Sequence, residues 1–240
     1  MGKEDLQIQT GEKKGRYLHT VFLLFFVFLG FPFLPALLGW EISPWLFQYI
    51  FLLFLGGIFF LWERSGSSPE DLTKIFAFPE KEKKSELILY SFCTGFALQG
   101  IFLPLHYFTG ELLSLCGIPA KEQPMVILFK ILPFSQLILY FLPVLFLAPI
   151  VEEWVFRHTL YKEGCREFPP LAASLWQGGL FALVHWNFAA FPGLFLFALF
   201  LQWNVRKRGT LWGGILPHFF FNLAAVAGIL LGRAFAGNLL

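Results

Sequence analysis

Long apolar blocks separated by short polar strips run the whole length of the chain. The blocks fall at about 17–39, 45–62, 86–108, 134–156, 170–187, 190–205 and 211–231, the fourth continuing as helix to about 161. Lipid gives backbone amides no hydrogen-bond partner, so apolar stretches near 20 residues predict membrane-crossing helices. The pattern therefore predicts an all-α fold, a polytopic transmembrane helical bundle of about seven spans. One stretch leaves an eighth open. Ile118-Pro119 and Pro133 bracket a short apolar run, Met125 to Phe129, which reads as a re-entrant or interfacial segment or as an extra turn of the fourth helix.

Composition agrees with this pattern. Hydrophobic residues make up 57% of the 240-residue chain and charged residues 14%, against roughly 25% charged in soluble domains. No separate soluble domain is expected. The chain divides into 1–133, a polar tail with the first three helices, and 134–231, a four-helix core holding the candidate chemistry. The tail, Met1 to Arg16, is followed by no small-residue cleavage site, so the first span reads as a retained anchor.

Basic residues set the orientation. Of the 18 Lys and Arg, fifteen lie in the tail, the second loop, the strip around Arg157 to Arg166 and the run Arg206-Lys207-Arg208. Lys121, Lys130 and Arg233 lie on the other side. That asymmetry predicts a multi-pass protein of the cell (inner) membrane with a cytoplasmic N-terminus. The net charge of +2 points to no nucleic-acid partner. Cys93, Cys116 and Cys165 have no metal or redox spacing and read as small apolar packers. Gly228 and Gly232 form a G-x-x-x-G pair of the kind that helps helices meet.

A charge at the centre of a membrane helix costs about 2.5–3.5 kcal/mol, so such residues usually serve function. In the first three spans, His19, Gln48, Gln99 and His106 read as structural or interfacial. The second half is richer, with Glu152-Glu153, Arg157, His185, His218 and Asn222. Glu152 and His185 are equidistant from the turn at Phe168-Pro169, so an antiparallel hairpin puts them at one depth, roughly 20–25 Å from that turn. His218 rises roughly 15 Å above Arg208, and Asn222 follows one turn later on the same face. Glu153 and Arg157 are i,i+4 neighbours that pair, which leaves Glu152 free. Phe181, one turn before His185, is expected to wall the pocket, while His158 and Gln177 are expected to pack or bind backbone.

A carboxylate and an imidazole at one depth suit water activation. Glu152 is the expected general base and His185 its partner in holding the water, with His218 and Asn222 donating to an oxyanion. Other intramembrane hydrolases are excluded by inventory. The only aspartates, Asp5 and Asp71, lie in polar segments; no His is followed by Glu as H-E-x-x-H requires; and Ser65-Gly66-Ser67 is in a loop.

These residues also carry a resemblance. Glu152-Glu153-Trp154-Val155-Phe156-Arg157 matches E-E-x-x-x-R, Phe181 to His185 matches F-x-x-x-H, and His218 to Asn222 matches H-x-x-x-N. In that order they resemble the CPBP family of intramembrane proteases, which includes the type II CAAX prenyl endopeptidases and lysostaphin-resistance proteins. The resemblance covers about 150–222. It implies a site inside the membrane, with Glu152 and His185 activating water, His218 and Asn222 stabilising the oxyanion, and Glu153 and Arg157 in support. It implies a membrane-associated protein or peptide as substrate: a prenylated C-terminal peptide by the family's name, or a leader peptide, sorting signal or regulatory membrane protein in a bacterium. No cofactor is expected, although two His and one Glu are also a zinc-binding set. Two other classes fit part of the pattern. A proton-coupled transporter also aligns Glu and His, but it usually carries polar groups in both halves. A non-catalytic immunity or scaffold protein would use the same fold.

Overall fold

The computed structural model describes residues 18–30, 37–39, 41, 43–64, 73–79, 82–119 and 122–236. The tail with Lys3, Asp5, Lys13, Lys14 and Arg16, residues 31–36 of the expected first span, the loop with Ser65-Gly66-Ser67 and Asp71, and Lys81 and Lys121 lie outside these. Every regular element among the described residues is a helix, with no strand. In chain order the helices are α1 (Leu18–Phe28), α2 (Pro44–Arg64), α3 (Lys84–Leu115), α4 (Pro124–Ile131), α5 (Phe134–Glu167), α6 (Pro170–Leu183), α7 (Phe191–Arg208) and α8 (Trp212–Phe235). Three of them, α3, α5 and α8, are long and apolar enough to cross a membrane. Leu18–Phe28 and Leu46–Trp62 are shorter apolar helices.

Prolines shape the segments around the site. The stretch 118–133 forms α4, a separate helix that begins on Pro124 and is divided from α5 by Pro133, so it is not an extra turn of the fourth helix. Proline is tolerated in a first turn, where its missing N–H has no acceptor, and is a poor continuation elsewhere. Phe129 of α4 packs with Leu137, Tyr140 and Val226. From α8, the Arg233 guanidinium donates to the last carbonyls of this region, Phe129 at 2.9 Å and Leu132 at 2.7 Å. A cation is well suited to those unpaired carbonyls.

The helix α5 runs from Phe134 to Glu167 but is not uniformly wound. Two segments, Pro143–Leu147 and Glu153–Leu160, take the wider π form. Pro143 and Pro149 each lack an N–H and press on the carbonyl four residues earlier, and a widened turn between them relieves both. Such bulges are often found at functional sites, and the second one carries Glu153 and Arg157.

Close helix approaches occur at glycines other than the G-x-x-x-G pair. A Cβ on Gly228 or Gly232 would meet nothing within 4 Å, so those two residues bring no helix close. A Cβ on Gly95 of α3 would instead lie 2.6 Å from Phe220 Cβ and 2.8 Å from Phe221 N of α8. On Gly193 of α7 it would lie 2.5 Å from the Phe102 ring of α3. These contacts lock α3 onto α7 and α8, so the first half of the chain supplies one wall of the core. Cys93, Cys116 and Cys165 are exposed and do not pack the interior as expected.

At the basic end the connection from α7 to α8 is clamped. Gly209 takes φ +68° to end α7, a left-handed conformation that costs glycine nothing. Thr210 Oγ1 donates to the Ala77 carbonyl at 2.6 Å and Trp212 Nε1 to the Phe76 carbonyl at 2.8 Å. Buried Asn204 accepts from Tyr90 Oη at 3.0 Å and also from Arg208, whose Nε donates to Glu82 at 2.9 Å.

Candidate active site

The centre is built from α5, the turn after α6, and α8. Glu153 and Arg157 have no exposed side-chain surface, and Arg157 Nε stands 3.2 Å from Glu153 Oε2. Two full charges are tolerable there only because they neutralise each other and find further polar partners. Arg157 also donates from a terminal nitrogen to Gln177 Oε1 at 3.2 Å, and its guanidinium lies 4.3 Å from the centroid of the Phe181 ring, a cation–π contact. Gln177, expected to pack or bind backbone, is buried and also accepts from a side chain.

The second oxygen of Glu153 reaches a different helix. His218 Nδ1 lies 2.9 Å from Glu153 Oε1. A carboxylate accepts, so Nδ1 carries the proton and Nε2 is left facing away. Glu153 therefore ties Arg157 of α5 to His218 of α8. Gly214, one turn before His218, makes this possible: a Cβ there would sit 2.4 Å from Glu153 Oε2. A glycine four residues before a site histidine, on the same helical face, is a signal that the sequence offered and that the motifs alone did not use.

Glu152 is placed differently from its neighbour. Its side chain keeps 18% of its surface exposed, and its Oε2 lies 3.8 Å from His218 Nε2. His185 lies beyond the end of α6, which stops at Leu183 and not at 187 as expected. It occupies a turn whose next residue, Trp186, holds φ +52°, a left-handed backbone that is strained for a bulky side chain and that clusters at functional sites. Asn187 Oδ1 then accepts from the Ala190 N–H at 3.0 Å to start α7. His185 Nδ1 lies 2.7 Å from the Phe181 carbonyl. A carbonyl can only accept, so Nδ1 donates, and in the neutral ring Nε2 holds the lone pair. Phe181 walls the site from both sides, with ring centroids 4.7 Å from His185 and 6.1 Å from His218.

Glu152, His185, His218 and Asn222 together line one cavity of about 210 Å³, with Gln48 at its edge. Asn222 Nδ2 donates to the Val144 carbonyl at 2.9 Å, beside the first π turn of α5, and its second N–H remains to serve a ligand. A larger cavity of about 440 Å³ shares His185, His218 and Asn222 and extends along Gln99 and His106 of α3. Those two residues, expected to be structural or interfacial, line this cavity beside the centre. Arg157, counted with the basic strip of the fourth loop, is instead buried, so one cation leaves that strip. Among the described residues no group of three or more His, Cys, Asp or Glu is arranged to hold a metal ion.

Residues 134–224 match the family model described as type II CAAX prenyl endopeptidase Rce1-like. That stretch is similar to domains of the CAAX protease type, and it contains all seven residues that the three motifs specify. No curated protein and no solved structure matches the chain.

Proposed function

We propose that this chain is an intramembrane endopeptidase that hydrolyses a peptide bond of a membrane-associated protein or peptide. The observation that carries this reading is the shared cavity, in which Glu152 and His185 face His218 and Asn222. In the reaction, one water hydrogen is held by the Glu152 carboxylate and the other by the lone pair on His185 Nε2. Both hydrogens being engaged, the free lone pair of the water oxygen faces the scissile carbonyl. Glu152 takes a proton as the oxygen–carbon bond forms. The carbonyl oxygen, now negative, accepts from a protonated His218 Nε2 and from the second N–H of Asn222, donors of a kind worth about 3–4 kcal/mol each. When the tetrahedral intermediate collapses, the carbon–nitrogen bond breaks and Glu152 passes its proton to the departing amine.

Glu153 and Arg157 act by holding His218. With Nδ1 fixed on Glu153, the ring presents Nε2 to the cavity and cannot rotate away. The chemistry is read as metal-free, with Glu152 itself the base that takes the proton from water. Activity surviving exhaustive chelation, with no zinc by elemental analysis, is the expected result. The protein is read as a multi-pass membrane protein with about seven spans and a cytoplasmic N-terminus, and the short α4 is not itself a span. The central test is cleavage of a candidate precursor by Glu152→Ala and His185→Ala proteins. Undiminished turnover in both removes the proposed base and its partner.

A further inference from the structure

A third cavity, of about 710 Å³, shares no lining residue with the two at the centre. It lies between the segment 73–79 and the basic end of α7, where the chain turns into α8. Its walls are tied together across more than 130 positions of sequence. The Leu211 N–H donates to the Ile75 carbonyl at 2.9 Å, beside the bonds from Thr210 and Trp212 to Ala77 and Phe76. The Phe78 ring is stacked on Trp212 with centroids 4.7 Å apart. These contacts fix Lys74 on one wall and the end of α7 on the other.

Charge in this cavity is unbalanced. Lys74, Arg206, Lys207 and Arg208 line it against a single carboxylate, Glu82. Both oxygens of Glu82 are taken by Arg208, at 2.9 and 3.3 Å. Lys74, Arg206 and Lys207 pair with no carboxylate among the described residues. Like charges gathered on one cavity repel, and an anion among them turns that cost into attraction. Two of the three stand on aromatic rings. Lys207 Nζ lies 4.8 Å from the centroid of Trp203, and the Arg206 guanidinium 5.8 Å from that of Tyr161. Trp203 is 52% exposed near the end of α7, where indole rings of membrane proteins sit among headgroups. The ammonium above it is therefore at the depth of lipid phosphate, with its apolar stem laid on the ring.

We propose that this cavity holds the phosphate headgroup of an anionic phospholipid, with Lys74, Arg206 and Lys207 as its donors. Arg208 is kept in the wall by Glu82 and Asn204, and the acyl chains lie along the exposed ring of Trp203. Basic pockets between membrane helices suit such headgroups. The inner wall of the cavity is the turn that launches α8, so an occupant braces the helix that carries Gly214 and His218. The site is separate from the proposed hydrolysis and stands without it.

The test uses the full-length protein, delipidated in maltoside detergent and mixed with equal amounts of dioleoyl phosphatidylglycerol and dioleoyl phosphatidylcholine. Native mass spectrometry, which counts bound lipids, is expected to show a single phosphatidylglycerol retained in preference to phosphatidylcholine. Arg206→Gln with Lys207→Gln should weaken that binding about thirtyfold, and Lys74→Gln alone about fivefold. Arg64→Gln with Lys83→Gln removes the same charge from neighbours that do not line the cavity, and should leave the binding unchanged. Equal retention of the two lipids, or equal weakening by the two double variants, overturns the site. Inorganic phosphate in excess is expected not to displace the lipid; displacement would assign the cavity to free phosphate and overturn the lipid. Lys74 is exposed, so its substitution keeps the fold. Should the Arg206 and Lys207 variant unfold, unchanged affinity in Lys74→Gln overturns the proposal by itself.

Discussion

The floor of the site and the chamber above it hold their polar side chains differently. In the floor, Arg157, Glu153, Gln177 and His218 meet one another, with distances of 2.9 to 3.2 Å along the chain of contacts. The chamber leaves Glu152 partly exposed and Gln99 Oε1 and His106 Nδ1 unpaired. The contrast shows how buried charge is divided between two tasks. Groups that neutralise each other hold the architecture, and Glu152, which keeps an exposed face, is available for chemistry. Adjacent glutamates, Glu152 and Glu153, fall on either side of this line because the helix turns one toward Arg157 and the other toward the cavity.

Substitutions can break the comparison, and they are expected to do so by different readouts. Glu152→Ala should give the largest change in activity, a loss of about 10²–10⁴-fold in cleavage rate, with the unfolding midpoint in detergent nearly unchanged. A large loss of stability would move Glu152 into the floor. Glu153→Ala should do the reverse, costing about 3–5 kcal/mol of stability because Arg157 is left buried without its counter-charge; denaturant or thermal unfolding of the purified protein measures this. Gly214→Ala forces a methyl group against the Glu153 carboxylate and is expected to cost about 1–3 kcal/mol. Cleavage should fall with it, since His218 loses its fixed orientation.

Gln177→Leu removes one acceptor from Arg157 but leaves Glu153 and the Phe181 ring in place, so a smaller cost of about 1–2 kcal/mol is expected. Smallest of all is Gln99→Leu. It removes a buried acceptor that has no protein partner, and replacing such a group by an apolar one is near neutral for folding. A clear loss of stability in Gln99→Leu would show that the chamber wall is structural after all.

Much of this was legible in the chain. The apolar blocks define the helices, because a backbone in lipid has no alternative to internal hydrogen bonds. The i,i+4 spacing of Glu153 and Arg157 gives their pairing, and inventory narrows the chemistry to Glu, His and Asn. Other features were not legible, for stated reasons. The end of α6 at Leu183 is invisible in an apolar run that continues through Val184. The π turns around Pro143 and Glu153 depend on neighbouring helices as well as on local sequence. Gly228 and Gly232 have the spacing of a contact motif, yet the close approaches fall at Gly95, Gly193 and Gly214, because a glycine matters only where another chain comes near.

The sequence by itself determined that this is a helical membrane protein and which side chains are candidates for its chemistry. Composition and spacing are properties of the chain, and lipid admits few ways to satisfy them. Only the tertiary structure decided that Glu153 binds His218 and that Gln177 supports Arg157. Those contacts join residues 20 to 65 positions apart, and no local pattern encodes which faces of distant helices will meet. Packing chose them, by seating bulky side chains such as Phe102 and Phe220 against Gly193 and Gly95.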